Sequence, residues 1–323
     1  MHIDVFNGDA DGIFSLIQLR KVKPIAATEQ LLISGVKRDI SLVQQVTTEQ
    51  ATNASITVLD ISFDKNNTAL EQVLAVADEV FYCDHHQATR LFQHPKLTAV
   101  IDTAPTVCTA LLVNQYLKNA QPLWAVAAAF GDGLDKPAKA LASQLGLSSE
   151  QQVQLKQLGM LVNYNGYGAS KADLHFAPAA LYQQLMTYDS PFAVIADAQS
   201  PFAALNAGYD ADLAKARSCK PLSDNTAVLA VQLDNAPWAA RISGSYGNIL
   251  AAENPAKAVV VVTSNADDSL TISLRAPKNN PYGAADICSQ FATGGGREGA
   301  AGINSLDRSE LDVFLGLVAA KYV

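Results

Sequence analysis

The sequence predicts an α/β protein in two parts: an N-terminal domain built on a parallel sheet and a smaller C-terminal α/β domain. Three observations predict it. Short apolar runs of strand length alternate with helix-length apolar segments over the first two-thirds of the chain, which is the signature of βαβ units. The punctuation then changes, with Pro-marked breaks at Pro191, Pro201 and Pro221, before strand-like runs resume at Ala227. Finally, 323 residues, 49% of them hydrophobic and 17% charged, supply enough apolar material for about two cores and exclude disorder as the dominant state.

The elements follow in order. Residues 2–6 read as a short buried strand, and 13–20 as the helix after a Gly-Asp-rich turn. Residues 56–61 form a second strand that ends in an acid, 70–77 a helix, and 79–83 a third strand that again runs into an acid. Residues 98–101 read as a further strand, and 107–116 and 123–130 as apolar helices. After about Leu185 an Ala-rich, Pro-punctuated stretch reads as a connector, placing the domains at 1–188 and 226–323 with residues 189–225 between them. In the second domain 227–233, 259–263 and 270–274 are strand-like, with a helix over 245–252 between the first two.

Charge narrows the function. The net charge is −8, with 13 basic against 18 acidic residues up to Ser190 and 10 against 13 after it. Neither part offers a basic track for long nucleic acid, whereas a short anionic ligand held by a few placed cations or by metal ions fits. No apolar run reaches the ~18–20 residues of a membrane span, and Met1-His2-Ile3-Asp4 does not begin like a secretory signal. Cys83, Cys108, Cys219 and Cys288 are widely spaced without a C-x-x-C, which points to a reducing cytoplasm rather than a disulfide scaffold or zinc knuckle.

Four segments end in, or pass directly into, acids or imidazoles: Asn7-Gly8-Asp9-Ala10-Asp11-Gly12, Leu59-Asp60, Asp84-His85-His86 and Gly131-Asp132-Gly133. In an open parallel sheet the carboxyl ends of the strands line one edge, where ligands bind, so these acids are expected to converge. Convergent carboxylates repel, which predicts raised pKa values or a bound cation. Asp and His without Cys suit Mn²⁺, Mg²⁺ or a similar ion, and a pair of such ions suits phosphoester hydrolysis. Each segment alone reads equally well as an acidic turn, a helix cap or a loop; the combination does not.

In order and spacing these segments resemble the DHH/DHHA1 phosphoesterase family, relatives of the RecJ exonuclease and of bacterial oligoribonucleases. The DHH triplet is Asp84-His85-His86. The glycine motif of the family's C-terminal module resembles Gly294-Gly295-Gly296-Arg297-Glu298-Gly299-Ala300-Ala301-Gly302. The resemblance implies a catalytic metal-binding DHH domain over 1–188, a substrate-binding DHHA1 domain over 226–323, and an active site in the cleft between them. It implies two ions, most readily Mn²⁺, with Mg²⁺ or Co²⁺ as alternatives. Asp60 would bridge them, Asp9 would complete the shell of one, and Asp11, His85 and Asp132 that of the other. Asp84 would orient a neighbouring ligand, and His86 would face the scissile phosphate as a donor or proton carrier. Several relatives carry a His four residues before the position of Asp9, where this chain has Val5, and RecJ-like members an Asp two residues before it, where this chain has Asn7. One ion site is then weaker, or Asn7 or water substitutes.

Three glycines followed by an Arg make a poor strand or helix interior, so Gly294, Gly295 and Gly296 read as a backbone cradle for an anion or base beside Arg297, or as a flexible surface loop. Arg275 matches a position that in the family touches nucleotide; it reads equally as a solvated strand-end cation. Thr106 and Thr109 could bind phosphate at a helix start, or cap that helix. Residues 163–168, Asn-Tyr-Asn-Gly-Tyr-Gly, read as an ordinary loop rather than a lid. His2, His94 and His175 read as structural. The expected activity is cleavage of very short oligonucleotides, most readily 5′-phosphorylated linear dinucleotides of the pGpG or pApA type left when cyclic dinucleotide signals are opened. Alternatives are a phosphatase of pAp or another small phosphoanhydride or phosphomonoester, and a non-catalytic nucleotide sensor.

Overall fold

The structure, a computed structural model, describes residues 1–323. The chain divides into two compact units, Met1–Ala207 and Gly208–Val323. In the first unit five strands form one parallel sheet: β1 (His2–Phe6), β2 (Gln30–Ser34), β3 (Ser55–Leu59), β4 (Glu79–Asp84) and β5 (Leu97–Ile101), in the order β2-β1-β3-β4-β5. Every neighbouring pair is parallel, in the registers Phe6↔Leu59 and Leu59↔Cys83 at the carboxyl edge. Three of the acid-bearing segments therefore start side by side. The order departs from chain order at β1, so the loops after β1 and β3 leave from adjacent strands, where a doubly wound sheet opens its crevice. Strand β2 is absent from the sequence reading: Gln30-Leu31-Leu32-Ile33-Ser34 is brief and only partly buried, and the sheet recruits it as an edge.

The helices of this unit are α1 (Ala10–Val22), α2 (Thr48–Ala51), α3 (Phe63–Val76), α4 (Thr109–Tyr116), α5 (Pro122–Gly131), α6 (Asp135–Gln144), α7 (Ser149–Asn165), α8 (Pro178–Met186) and α9 (Pro191–Ala196); α10 (Pro201–Ser218) contains the division between the units. The stretch read as a connector thus holds ordered helix. One side of the sheet packs Ile3, Val5, Ile56, Val58 and Val80 against Phe63, Leu70 and Leu74. Helix α1 is buried from Ala10 to Arg20 and touches α4, α5, α7 and α8, so its amino terminus is fixed in place. His2 lies at the far end of β1, bonded to Thr57 and Arg20 beside the buried Asp4–Arg20 pair, a structural role.

Two glycines let α1, α5 and α7 meet. A Cβ on Gly131 would sit 2.7 Å from the Ala10 Cβ and 2.8 Å from the Gly159 carbonyl oxygen, and one on Gly159 would sit 2.0 Å from the Ala127 carbonyl oxygen. The consequence is positional: Asp132, directly after α5, is drawn to the end of α1 that carries Asp9 and Asp11.

The second unit is a mixed sheet, ordered β10-β11-β9-β8-β7-β6, of β6 (Pro221–Asp224), β7 (Val228–Gln232), β8 (Ala258–Ser264), β9 (Leu270–Arg275), β10 (Gly294–Arg297) and β11 (Ala300–Leu306). Helices α11 (Pro237–Glu253), α12 (Ala284–Cys288) and α13 (Leu311–Tyr322) complete it. Only β7 and β8 pair in parallel. The glycine run corrects the expectation that it makes a poor strand interior, and with it the alternative of a flexible loop. It forms edge strand β10, bonded only to β11, because an edge strand uses its backbone and needs no side chains to pack. Glycine is required there by close approach, since a Cβ on Gly294 would meet the Cys288 carbonyl oxygen at 1.7 Å and Gly296 has φ of 146°. All four cysteines are free thiols, and no helix is long and apolar enough to cross a membrane.

The helix contact yields a paired prediction. Gly159→Ala should destabilise the protein by about 1–3 kcal/mol through overpacking, against the ~1 kcal/mol that alanine ordinarily contributes inside a helix. Gly316→Ala, at an exposed position of α13 where a Cβ meets nothing within 4 Å, should be neutral or stabilising. Urea denaturation of both variants decides it; equal effects at the two sites would contradict the packing account.

Candidate metal centre

The centre grows from the carboxyl edge of the first sheet. Asp9 ends the β1 loop as N-cap of α1, its Oδ1 accepting from the backbone N–H of Asp11 (3.0 Å) and Gly12 (3.1 Å). Asp11, in the first turn, is buried and turns its carboxylate to the start of α4, accepting from Thr109 N–H (2.8 Å) and Ala110 N–H (2.7 Å). Helix α4 is thus capped by an acid from another helix. Neither Thr106 nor Thr109 caps it with a hydroxyl. Thr106 is exposed in the preceding turn, while Thr109 sits among the carboxylates with its Oγ1 donating to Asp60 Oδ1 at 3.0 Å.

Asp60 follows β3 directly with φ of 59°, a left-handed conformation uncommon outside glycine. Its N–H donates to the Cys83 carbonyl oxygen (3.0 Å), holding the turn against β4. Asp84 closes β4, fully buried, and accepts from the Phe63 N–H (3.3 Å) and from His86 Nδ1 (2.6 Å). Asp84 therefore orients His86. His85 points its Nε2 at three carboxylates, 3.5 Å from Asp60 Oδ1, 3.7 Å from Asp11 Oδ2 and 3.9 Å from Asp132 Oδ2.

These atoms suit a divalent cation. The ligand atoms of Asp11, His85 and Asp132 lie within 4.8 Å of one another, as do those of Asp60, His85 and His86. Asp60, held by the Thr109 hydroxyl, lies beside the Asp11–His85–Asp132 group, and the donors are oxygen and imidazole nitrogen with no sulfur, the set that hard and borderline ions prefer. In the second grouping His86 already gives its Nδ1 to Asp84, which leaves Asp11, His85 and Asp132, with Asp60 3.5 Å from His85 Nε2, as the candidate cation site.

The electrostatics agree. Burial, and then the charges of Asp11, Asp9, Asp84 and Asp132, hold the Asp60 carboxyl well above the usual carboxylate range. Burial also raises Asp132, against the attraction of Lys37, with Asp11 and Asp9 adding to the rise. Negative groups that resist ionising together are stabilised by a cation placed among them.

Four residues escaped the sequence reading. Lys37, three residues past β2, ion-pairs with Asp9 Oδ2, donates to Asn163 Oδ1 at 3.1 Å, approaches Asp132 Oδ1 at 3.7 Å and lies 5.6 Å from the Tyr167 ring centre. Burial would lower its pKa, but Asp9, Tyr167 and Asp132 raise it well above the ordinary lysine value. Asn163, Gly166 and Tyr167, at and beyond the end of α7, frame this lysine rather than form an ordinary loop. No pattern marked Lys37, because a single lysine in a polar turn carries no periodic signal.

In the second unit Arg275 is anchored, its Nε donating to Asn248 Oδ1 (2.8 Å) and its Nη1 to Ser273 Oγ (2.9 Å). Arg297, at the end of β10, is exposed, and its strand position pairs with Ala300, which pairs in turn with Arg275. Gly294 and Gly295 are half-buried and Gly296 is exposed.

A titration follows from the Asp84–His86 contact. Burial opposes protonation of His86, yet the hydrogen bond and charge of Asp84, with Asp9 and Asp11, raise its pKa overall. In metal-free protein, imidazole NMR should place the His86 midpoint above the ordinary ~6.5, and Asp84→Asn should lower it. The associated stabilisation is complete below the unfolded-state value and is lost as pH rises through the folded one. A midpoint at or below ~6.5 in the unsubstituted protein would contradict the pairing.

No protein-family model matches the chain, and no curated protein matches it in sequence. Solved structures do. A RecJ exonuclease bound to manganese aligns over 99% of this chain and 90% of its own, with a TM-score of 0.62 and 18% identity. A DHH domain described as a member of the s1p family of ribosomal proteins aligns over 99% and 86%, with a TM-score of 0.65 and 12% identity. PggH, a pGpG-specific phosphodiesterase from Vibrio cholerae, aligns over 100% and 99%, with a TM-score of 0.55 and 12% identity. The chain has the two-part α/β fold of the DHH/DHHA1 phosphoesterases.

Proposed function

We propose that the protein is a metal-dependent phosphodiesterase that cuts very short oligonucleotides, most readily 5′-phosphorylated linear dinucleotides of the pGpG or pApA type, to mononucleotides. The observation that carries this reading is the convergence of Asp11, Asp60 and Asp132 on the Nε2 of His85 at one sheet edge. Those residues would hold Mn²⁺, with Mg²⁺ or Co²⁺ as substitutes. When bound, the ion supplies Lewis acidity toward phosphoryl oxygens and a nucleophilic hydroxide at neutral pH.

The chain's own groups do the rest. Asp84 accepts a hydrogen bond from His86 Nδ1–H, which fixes the imidazole orientation and leaves Nε2 available to the substrate. His86 is the more exposed of the two histidines, at 39% against 14% for His85, so it is the one able to meet a phosphate. Its raised pKa favours the proton-donating form, suited to a phosphoryl oxygen or a departing ribose oxygen. Thr109 holds Asp60 from below, so the carboxylate does not swing away.

Substrate length rests on charge. A chain with net charge −8 offers no basic groove to follow a long strand, so a short substrate gripped at a few points fits better. Arg275, Arg297, Thr106 and the backbone of Gly294, Gly295 and Gly296 are proposed as contacts to the nucleotide. PggH, whose fold this chain shares from end to end, acts on pGpG, which favours the dinucleotide reading. A place in the turnover of opened cyclic dinucleotide signals, in the cytoplasm, follows from that substrate.

The test is a panel of 5′-phosphorylated mono- to tetranucleotides with Mn²⁺, Mg²⁺ and Co²⁺, read as mononucleotide release. Dinucleotides should turn over fastest, and His86→Gln should lower kcat by roughly 10²–10⁴-fold, the usual contribution of a positioned proton carrier, with KM little changed. No turnover of any oligonucleotide with any ion would overturn the proposal; inorganic phosphate released from pAp alone would replace it with a phosphatase.

A further inference from the structure

We propose that the ammonium of Lys37 stands where a second cation would be, so that the protein binds one divalent ion per chain instead of a pair. This deepens the reading of the carboxylate edge as a cation site and rests on it. Asp9 differs from Asp11 in what it holds: both carboxylates accept backbone N–H groups, but Asp9 Oδ2 also pairs with the Lys37 ammonium. The positions beside Asp9 on β1 offer nothing in exchange. Val5 is buried in the apolar core, and Asn7 spends its amide on the backbone, its Oδ1 accepting from the Asp9 N–H (3.2 Å) and its Nδ2 donating to the Lys37 carbonyl oxygen (3.1 Å).

Lys37 is held there by its backbone as well as by charge. Its N–H donates to the Gly166 carbonyl oxygen (2.9 Å), its carbonyl receives the Asn7 amide, and Asp39 folds the turn around it by accepting from the Val36 N–H (2.9 Å). The side chain runs past the Tyr167 ring to Asp9, with Asn163 Oδ1 as a third, neutral partner. Such a seat is built from three separate segments of chain. A divalent ion at Asp9 would have to evict this ammonium or sit against a like charge. Charge also closes without it: one divalent ion and one ammonium offset most of the negative charge of Asp9, Asp11, Asp60 and Asp132. The other ion position, at Asp11, Asp60, His85 and Asp132, is untouched by Lys37 except for its 3.7 Å approach to the second oxygen of Asp132.

The experiment counts manganese. Chelator-stripped full-length protein is saturated with Mn²⁺, freed of excess ion, and measured for manganese per chain and by electron paramagnetic resonance. The unsubstituted protein should carry one ion with the hyperfine pattern of an isolated Mn²⁺. Lys37→Gln, which removes the charge and supplies an amide oxygen, should double the bound manganese and broaden the signal through exchange coupling; Lys37→Arg should keep the single ion. Two coupled ions in the unsubstituted protein, or one ion unchanged in a folded Lys37→Gln variant, would overturn the inference while leaving the cation site standing. No bound manganese at all would overturn the cation site itself, and this inference with it.

Discussion

Like charges held together at one edge of a buried sheet dominate this molecule. Unit charges about 4 Å apart interact by about 4 kcal/mol at an effective dielectric near 20, and the charges of Asp9, Asp11, Asp84 and Asp132 all bear on the buried Asp60 carboxyl. The protein answers with every positive or proton-bearing group it can bring: backbone N–H groups at three helix starts, the Thr109 hydroxyl, two imidazoles and one ammonium. What these do not neutralise is charge left over for a divalent ion. The proposed function, built on such an ion, would follow from that repulsion rather than being added to the fold.

The scaffold makes such a concentration tolerable. Adjacent parallel strands deliver Asp9, Asp60 and Asp84 in register, and the glycine-mediated meeting of α1, α5 and α7 adds Asp132 without flexible linkage. Asp9, Asp11, Asp60 and Asp84 are each held by at least one bond that does not involve a cation, and Asp132 is positioned by the end of α5. The site is consequently shaped before any ion arrives, which lowers the reorganisation that metal binding or catalysis would require. Asp60 shows the cost most plainly, since it combines a left-handed backbone with a carboxyl that resists ionisation.

Much of this was readable in the residues. The alternation of apolar runs identified β1, β3 and β4, and the acids ending them identified the edge where Asp11, Asp60, His85 and Asp132 meet. What escaped reading was set by long-range packing. Strand β2, Gln-Leu-Leu-Ile-Ser, ends in no acid and buries only its last two residues, so nothing in the sequence sets it apart, yet pairing with β1 fixes it and so delivers Lys37. Gly159 looks like any helix glycine until α5 lies across it. The glycines of β10 escape a propensity reading because propensity assumes side chains must pack, whereas this edge strand has no room for one at Gly294 or Gly296. Thr109 and Thr106 are indistinguishable by type; which one meets Asp60 depends on where α4 begins.

The central claim is that the carboxyl edge of the first sheet is a cation site made by Asp11, Asp60, His85 and Asp132. X-ray diffraction from crystals grown with Mn²⁺, collected on both sides of the manganese absorption edge, tests it most directly. An anomalous peak in contact with His85 Nε2 and with oxygens of those three aspartates is the predicted result. A map with no peak at that edge, or with manganese bound only elsewhere on the molecule, would contradict the account.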